Sequence, residues 1–128
     1  MKIEKQENEK TIILLPKGNL VYEGIEELSA LLTGLRDEVR CIIIDLSYTK
    51  YLSAKAISII VDNVKNYRAI RRDLKLVNVN ESIIGLFDIT GVNKVISIFE
   101  NEDSVLASIG PQVGKLEKNL LWSKECIL

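Results

Sequence analysis

The stretch CIIIDLSYTKYLSAKAISIIVDNV, residues 41–64, decides the fold. Its opening run is apolar and β-branched at consecutive positions, as suits a central strand covered on both faces. Asp45 and Leu46 close that run, and a polar loop, SYTKY, follows. Ser53 then stands where a side-chain oxygen can cap a helix. Apolar residues recur at Ile57, Ile60, Val61 and Val64, which is helical spacing. One residue is out of keeping. Lys55 falls in the first turn, where the helix dipole is positive and a cation is mildly disfavoured.

The pattern repeats on either side. Residues 1–7 suit an edge strand, and TIILLP (11–16) is a short apolar strand closed by Pro16 and a turn at Lys17-Gly18. From Gly24, Ile25, Leu28, Leu32 and Leu35 follow helical spacing. The helix from 54 to about 70 ends in RAIRRD, cations in its last turn as the dipole prefers. LKLVNV (74–79) is another strand, and Asn80 can cap a helix carrying Ile83, Leu86, Phe87 and Thr90 on one face, stopped by Gly91. VISIF (95–99) is a strand, and a last helix from Asn101 or Asp103 to Gly110 carries Val105, Leu106 and Ile109. The order is ββαβαβαβα, which implies an α/β domain whose sheet is substantially parallel.

The chain has 128 residues, a length that suits one domain with a proper core. We assign residues 1–110 to that domain and 111–128 to a C-terminal tail. The tail contains Leu116, Leu120, Leu121 and Trp122, and could be a short docked helix, a homodimer or partner contact, or a disordered end. Net charge is −1, which gives no global attraction to nucleic acid or an anionic membrane. No apolar run approaches the length of a transmembrane helix, so a cytoplasmic location without membrane insertion is expected. The cysteines are Cys41, read as a buried thiol, and Cys126, read as free; two without a spacing pattern suggest a reducing compartment.

The absences bear on function. There is no histidine, which removes the commonest general base and transition-metal ligand. There is no CxxC, GxGxxG or phosphate-cradling loop, and the seven glycines are scattered. A binding or regulatory module without cofactor or metal is expected, not an enzyme. Asp45, at the carboxyl end of a strand, has no second carboxylate or histidine near it in sequence, so a loop-organising hydrogen-bond role is expected. Arg68, Arg71 and Arg72 lack interleaved aromatics and read as a solvated helix end rather than a nucleic-acid site.

Four stretches in order resemble the STAS domain family, whose bacterial members include the anti-sigma factor antagonists. ILLPKGNL is similar to the family's second strand and Gly-x-Leu turn; CIIIDLSYTKYLSAKAI to its central strand, loop and key helix; LKLVNVNESIIGLFDITGV to the next strand and helix; VISIFENEDSVLASIG to the last pair. The resemblance spans about residues 3–110. It implies a mixed four- to five-stranded sheet with about four helices mainly on one side. It also implies a protein that binds an anti-sigma factor, a serine-kinase-type partner that phosphorylates the antagonist to release itself. Such a phosphate adds nearly two negative charges in the middle of a fitted interface.

The departures matter as much as the match. The family's Asp-Ser-Ser-Gly motif becomes Ser53-Ala54-Lys55-Ala56 when aligned by the following aliphatic residue, Ile57. Lys55 thus occupies the phosphoserine position and cannot take a phosphate there. Three readings stay open. The module binds its partner without the usual switch; phosphorylation has moved to Ser53 or Ser58; or the domain is a scaffold or accessory subunit of a stress-signalling or transport complex. The resemblance places partner contacts at Tyr48, Ser53, Ala54, Lys55, Ala56, Ser58 and Asp62, with Tyr51 packed inward. Gly18-Asn19-Leu20-Val21 lacks the two acids that the family often has there.

Overall fold

The computed structural model describes residues 2–38 and 40–101. The described elements are β1 (Ile3–Glu7), β2 (Thr11–Pro16), α1 (Ile25–Gly34), β3 (Cys41–Asp45), α2 (Ala54–Ala69), β4 (Leu74–Val77), α3 (Glu81–Thr90), a 3-10 turn (Val92–Lys94) and β5 (Ser97–Phe99). They form one five-stranded mixed sheet in the order β1-β2-β3-β4-β5. β1 pairs antiparallel with β2, and the remaining pairs are parallel. Each parallel crossover advances one strand in the same direction. Right-handed crossovers that keep advancing put every connecting helix on one face.

Strand alternation sorts the side chains accordingly. Ile12, Leu14, Ile42, Ile44, Leu74 and Leu76 face the helices and pack with Leu28 and Leu32 of α1, Ile60 and Val64 of α2, and Phe87 of α3. The opposite face gathers Ile13, Cys41, Ile43 and Val77, with Phe99 against them. All five residues of β3 are buried, as its continuous apolar run requires. Gly24 (φ 80°) and Gly91 (φ 77°) occupy left-handed conformations at the start of α1 and the end of α3, where a Cβ would strain the backbone.

Several expectations are corrected. Leu86 is 38% exposed and Thr90 also faces solvent, because Ile83 and Phe87 alone turn inward from α3. β5 begins at Ser97, since Val95 and Ile96 close the 3-10 turn through N–H bonds to the Val92 carbonyl. Tyr51 is 63% exposed; its neighbour Leu52 takes the inward position by bridging to Leu20. Arg68 is not merely solvated, because its guanidinium lies 3.3 Å from the buried carboxylate of Asp73. Cys41 is buried but disulfide-bonded, not a thiol. The expected helix from Asn101 or Asp103, the tail and Cys126 fall outside the described residues.

Two polar devices lock the helical layer. Tyr67 is fully buried on α2, and its hydroxyl donates to the Leu32 carbonyl at the end of α1 at 2.5 Å. Burial pushes its phenol up to about 12. Asp73, ahead of β4, accepts from Lys75 (3.3 Å), Arg68 (3.3 Å) and Ser97 (3.2 Å), so the buried carboxylate is neutralised and hydrogen-bonded where it sits.

Candidate functional site

The carboxyl ends of β2, β3 and β4 and the amino ends of the helices meet at one edge of the sheet. In open parallel sheets this edge is where loops converge to form binding surfaces. Here the central loop, residues 46–53, is tied down from three directions. Its base is organised by Asp45, whose Oδ1 accepts from the Ser47 N–H (2.9 Å), the Ser47 hydroxyl (2.7 Å) and the Asn78 amide (3.1 Å). Asn78 adopts φ 55°, a left-handed conformation that asparagine tolerates better than most residues. The loop-organising role expected for Asp45 is thus what its contacts describe.

The middle of the loop is held by two asparagines. Asn19 Oδ1 accepts from the Lys50 and Tyr51 N–H groups at 2.8 and 3.2 Å. Asn80 donates its amide to the Thr49 and Lys50 carbonyls, both at 3.2 Å, while its Oδ1 caps α3 by accepting from the Ile83 N–H at 2.9 Å. Thr49 is 1% exposed and donates its hydroxyl to the Gly18 carbonyl at 2.9 Å. The loop's exit is paired to the neighbouring turn through Leu20 N–H to Tyr51 carbonyl and Ser53 N–H to Leu20 carbonyl. A loop with its backbone groups satisfied in this way holds its side chains in a fixed arrangement.

Ser53 caps α2 as expected: its Oγ accepts from the Ala56 N–H at 3.1 Å. That contact engages the hydroxyl as an acceptor and leaves the side chain half-buried. Lys55 is exposed in the first turn, and among the described residues it makes no ion pair. It lines two adjoining recesses. One, of about 330 Å³, is shared with Val21, Tyr22 and the acidic residues Glu23, Glu26 and Glu27. The other, of about 620 Å³, runs between α1 and α2 past Ala30, Gly34 and Ile59.

Around this helix end stand three outward tyrosines. Tyr22 is 90% exposed, Tyr51 63% and Tyr48 57%. Lys17 Nζ sits 4.0 Å from the centre of the Tyr48 ring, a cation–π contact that fixes the ring in place. Ala54, Ser58 and Asp62 are exposed and reachable from the same side as Lys55 or the outer face of α2. Ala56 is not: it is 1% exposed, because it begins the inward stripe that continues through Ile60, Asn63, Val64 and Tyr67. Its side chain therefore faces the core rather than a partner. Tyr22 escaped the sequence reading, Tyr51 is read there as inward, and the hold of Asn19 and Asn80 on the loop is absent from it. The asparagines flank strand and helix ends, where capping residues are expected, but only the folded chain brings both onto one loop.

Among the described residues no group of histidine, cysteine, aspartate or glutamate could hold a metal ion. No described helix is long and apolar enough to cross a membrane.

Comparison with known proteins gives this arrangement a context. A family model described as STAS domain matches residues 2–105. A search of curated proteins finds no match. Among solved structures, an anti-sigma factor antagonist from Thermotoga maritima superposes with a TM-score of 0.75 at 16% identity, covering 83% of this chain and 92% of that one. The Bacillus cell fate determinant SpoIIAA in its phosphorylated form gives 0.64 at 12% identity, covering 84% and 99%. The murine anion transporter Slc26a9 gives 0.65 at 19% identity, with 80% of this chain matched to 18% of the transporter. At these identities the likenesses establish the fold.

Proposed function

This chain belongs to the STAS domain family, and from that premise we propose that it is a non-enzymatic, cytoplasmic, antagonist-like regulator. It captures an anti-sigma factor of the serine-kinase type and so influences sigma-factor-dependent transcription. The observation that carries the reading is the immobilised loop at the amino end of α2. It presents Tyr48 and Tyr51 beside Lys55, which makes no ion pair among the described residues. Exposed tyrosines on a hydrogen-bonded loop beside a charged side chain suit a protein interface. The likeness to solved anti-sigma factor antagonists, SpoIIAA among them, supports the partner class.

Capture by this surface differs from the family pattern in its control. Lys55 stands at the position where the resemblance puts the phosphorylated serine. The partner's kinase then has no hydroxyl to modify there, and release follows abundance rather than phosphorylation at this position. Lys55 selects a partner with an acidic counterpart, because a lysine at an interface rim acts through encounter and charge matching.

Affinity capture from the native lysate tests this, with wild type and Lys55→Glu as bait. Wild type should recover a serine-kinase-type anti-sigma factor, and Lys55→Glu should lose it without losing its fold. Equal capture by both baits removes Lys55 from the contact. Recovery of transporter subunits, or elution in a large assembly on gel filtration, replaces the antagonist reading with that of a scaffold subunit.

A further inference from the structure

At the end of the helical layer away from the loop, two arginines each carry a buried nitrogen that nothing among the described residues bonds. Arg36 follows the cap of α1, and Arg72 stands just beyond the cap of α2. Both side chains are half-buried, and Nε of Arg36 and Nη1 of Arg72 have no hydrogen-bond partner. They converge on one turn of α2. Arg36 Nη2 donates to Asn63 Oδ1 at 3.4 Å, and Asn63 precedes Tyr67 by one helical turn on the same inward stripe. Arg71 takes a left-handed conformation (φ 61°), in which glycine would be less strained. That turn folds Arg72 back, so that its backbone N–H bonds the Tyr67 carbonyl at 2.8 Å. Burial raises the Tyr67 phenol, and the charges of Arg36 and Arg72 both oppose the rise, which puts both cations near one hydroxyl.

The dipoles of α1 and α2 account for cations at these helix ends. They do not account for unbonded nitrogens. A buried donor without an acceptor costs stability, and two like charges near each other add to that cost. The carboxylates close in sequence do not relieve it. Asp37 is exposed, Glu38 is paired with Arg40, and Asp73 with Arg68 and Lys75.

We propose that Arg36 and Arg72 form a binding site for a phosphate-sized oxyanion, held between the ends of α1 and α2. An inorganic phosphate dianion matches two guanidiniums in charge, and each planar fork can give it directed N–H bonds. The ligand is small and compact, because the nitrogens it bonds are buried. It arrives from solvent, where each arginine keeps part of its surface. The site is distinct from the loop surface, since α2 is 16 residues long and sets about 24 Å between its two ends. Once bound, the anion ties α1 to α2 beside the bond from Tyr67 to the Leu32 carbonyl.

The test is calorimetric titration and thermal unfolding of the full chain with sodium phosphate, at constant ionic strength set with sodium chloride. Wild type should bind a single phosphate, and its melting temperature should rise to a plateau. Arg36→Gln and Arg72→Gln should each weaken binding at least about tenfold. Lys65→Gln, which removes an exposed cation of α2, should bind as wild type does. Arg72→Met keeps the apolar stem and separates a binding role from a structural one. Without phosphate its melting temperature should equal or exceed that of wild type, because an unbonded donor is gone. With phosphate, wild type should lead. Binding to Arg72→Met as tight as to wild type overturns the proposal. A lower melting temperature of Arg72→Met in phosphate-free buffer also overturns it, since the guanidinium would then be bonded within the chain. So does a phosphate response that never saturates, which is the general effect of an excluded salt.

Discussion

Replacing Tyr67 by phenylalanine should separate two contributions of one hydroxyl. The ring stays in the core, where Tyr67 is fully buried, so packing changes little. What disappears is the 2.5 Å bond to the Leu32 carbonyl, one of the terminal carbonyls of α1 that has no partner within its own helix. A buried acceptor left without a donor costs about 1 to 3 kcal/mol. For a domain of this size that lowers the melting temperature by about 3 to 10 °C at neutral pH. The pH dependence is the sharper test. The phenol is raised to about 12 in the folded chain, from 10.0. Below pH 10 both folded and unfolded forms keep the proton, and the contribution is independent of pH. Between 10 and 12 the unfolded form releases its proton first, so stability falls as pH rises, by about 2 to 3 kcal/mol in all. Urea unfolding of both proteins from pH 8 to 12 should show wild type losing its advantage over Tyr67→Phe across that window. Curves that stay parallel through pH 12 would refute the account of a buried, neutral phenol tying α2 to α1.

Ser53→Ala removes the cap of α2 and should cost about 1 kcal/mol, seen as a lower midpoint in thermal unfolding with the fold retained. Asp73→Ala leaves Lys75 buried without its anion and should cost about 3 to 5 kcal/mol; adding Lys75→Met should restore much of the loss in the same denaturation assay. Ser58 stands one helical turn after Lys55, so Ser58→Glu should pair with the ammonium and weaken partner capture. In a Lys55→Glu background the same substitution should change capture little further, and a double-mutant cycle on binding checks both.

What could be read beforehand follows from where the determining forces lie. The burial of β3, the cap at Ser53, the stop at Gly91 and the exposure of Ser58 and Asp62 are set by pattern and by neighbours in sequence. The resemblance to STAS domains could add the family's arrangement to them. Tyr51 was misjudged because inside and outside in the loop are decided by the Leu20–Leu52 bridge, a contact across 32 residues. Ala56 was misjudged for a related reason. As an aligned motif position it resembled a contact, while the helix phase set by Ile60, Val64 and Tyr67 turns it inward. The clamp of Asn19 and Asn80 on one loop, and the buried carboxylate of Asp73, depend on parallel strands being brought side by side, which no local pattern reports.

These observations give the lysine at the head of α2 a physical reading. Against the helix dipole Lys55 costs a few tenths of a kcal/mol, and its exposure to solvent reduces even that. The domain therefore tolerates it at almost no expense to folding. A phosphoserine at the same place would bring nearly two negative charges; lysine brings one positive. A partner surface shaped to admit the ammonium would disfavour the phosphate, and one that relies on phosphate for release would find nothing to act on. The acidic residues Glu23, Glu26 and Glu27 line the same recess, so the ammonium of Lys55 stands beside carboxylates. Under the proposed function, a partner would meet Lys55 with an acid. That pairing, held by a loop whose backbone groups are already bonded, allows specificity to be built into the surface itself where relatives rely on a reversible charge.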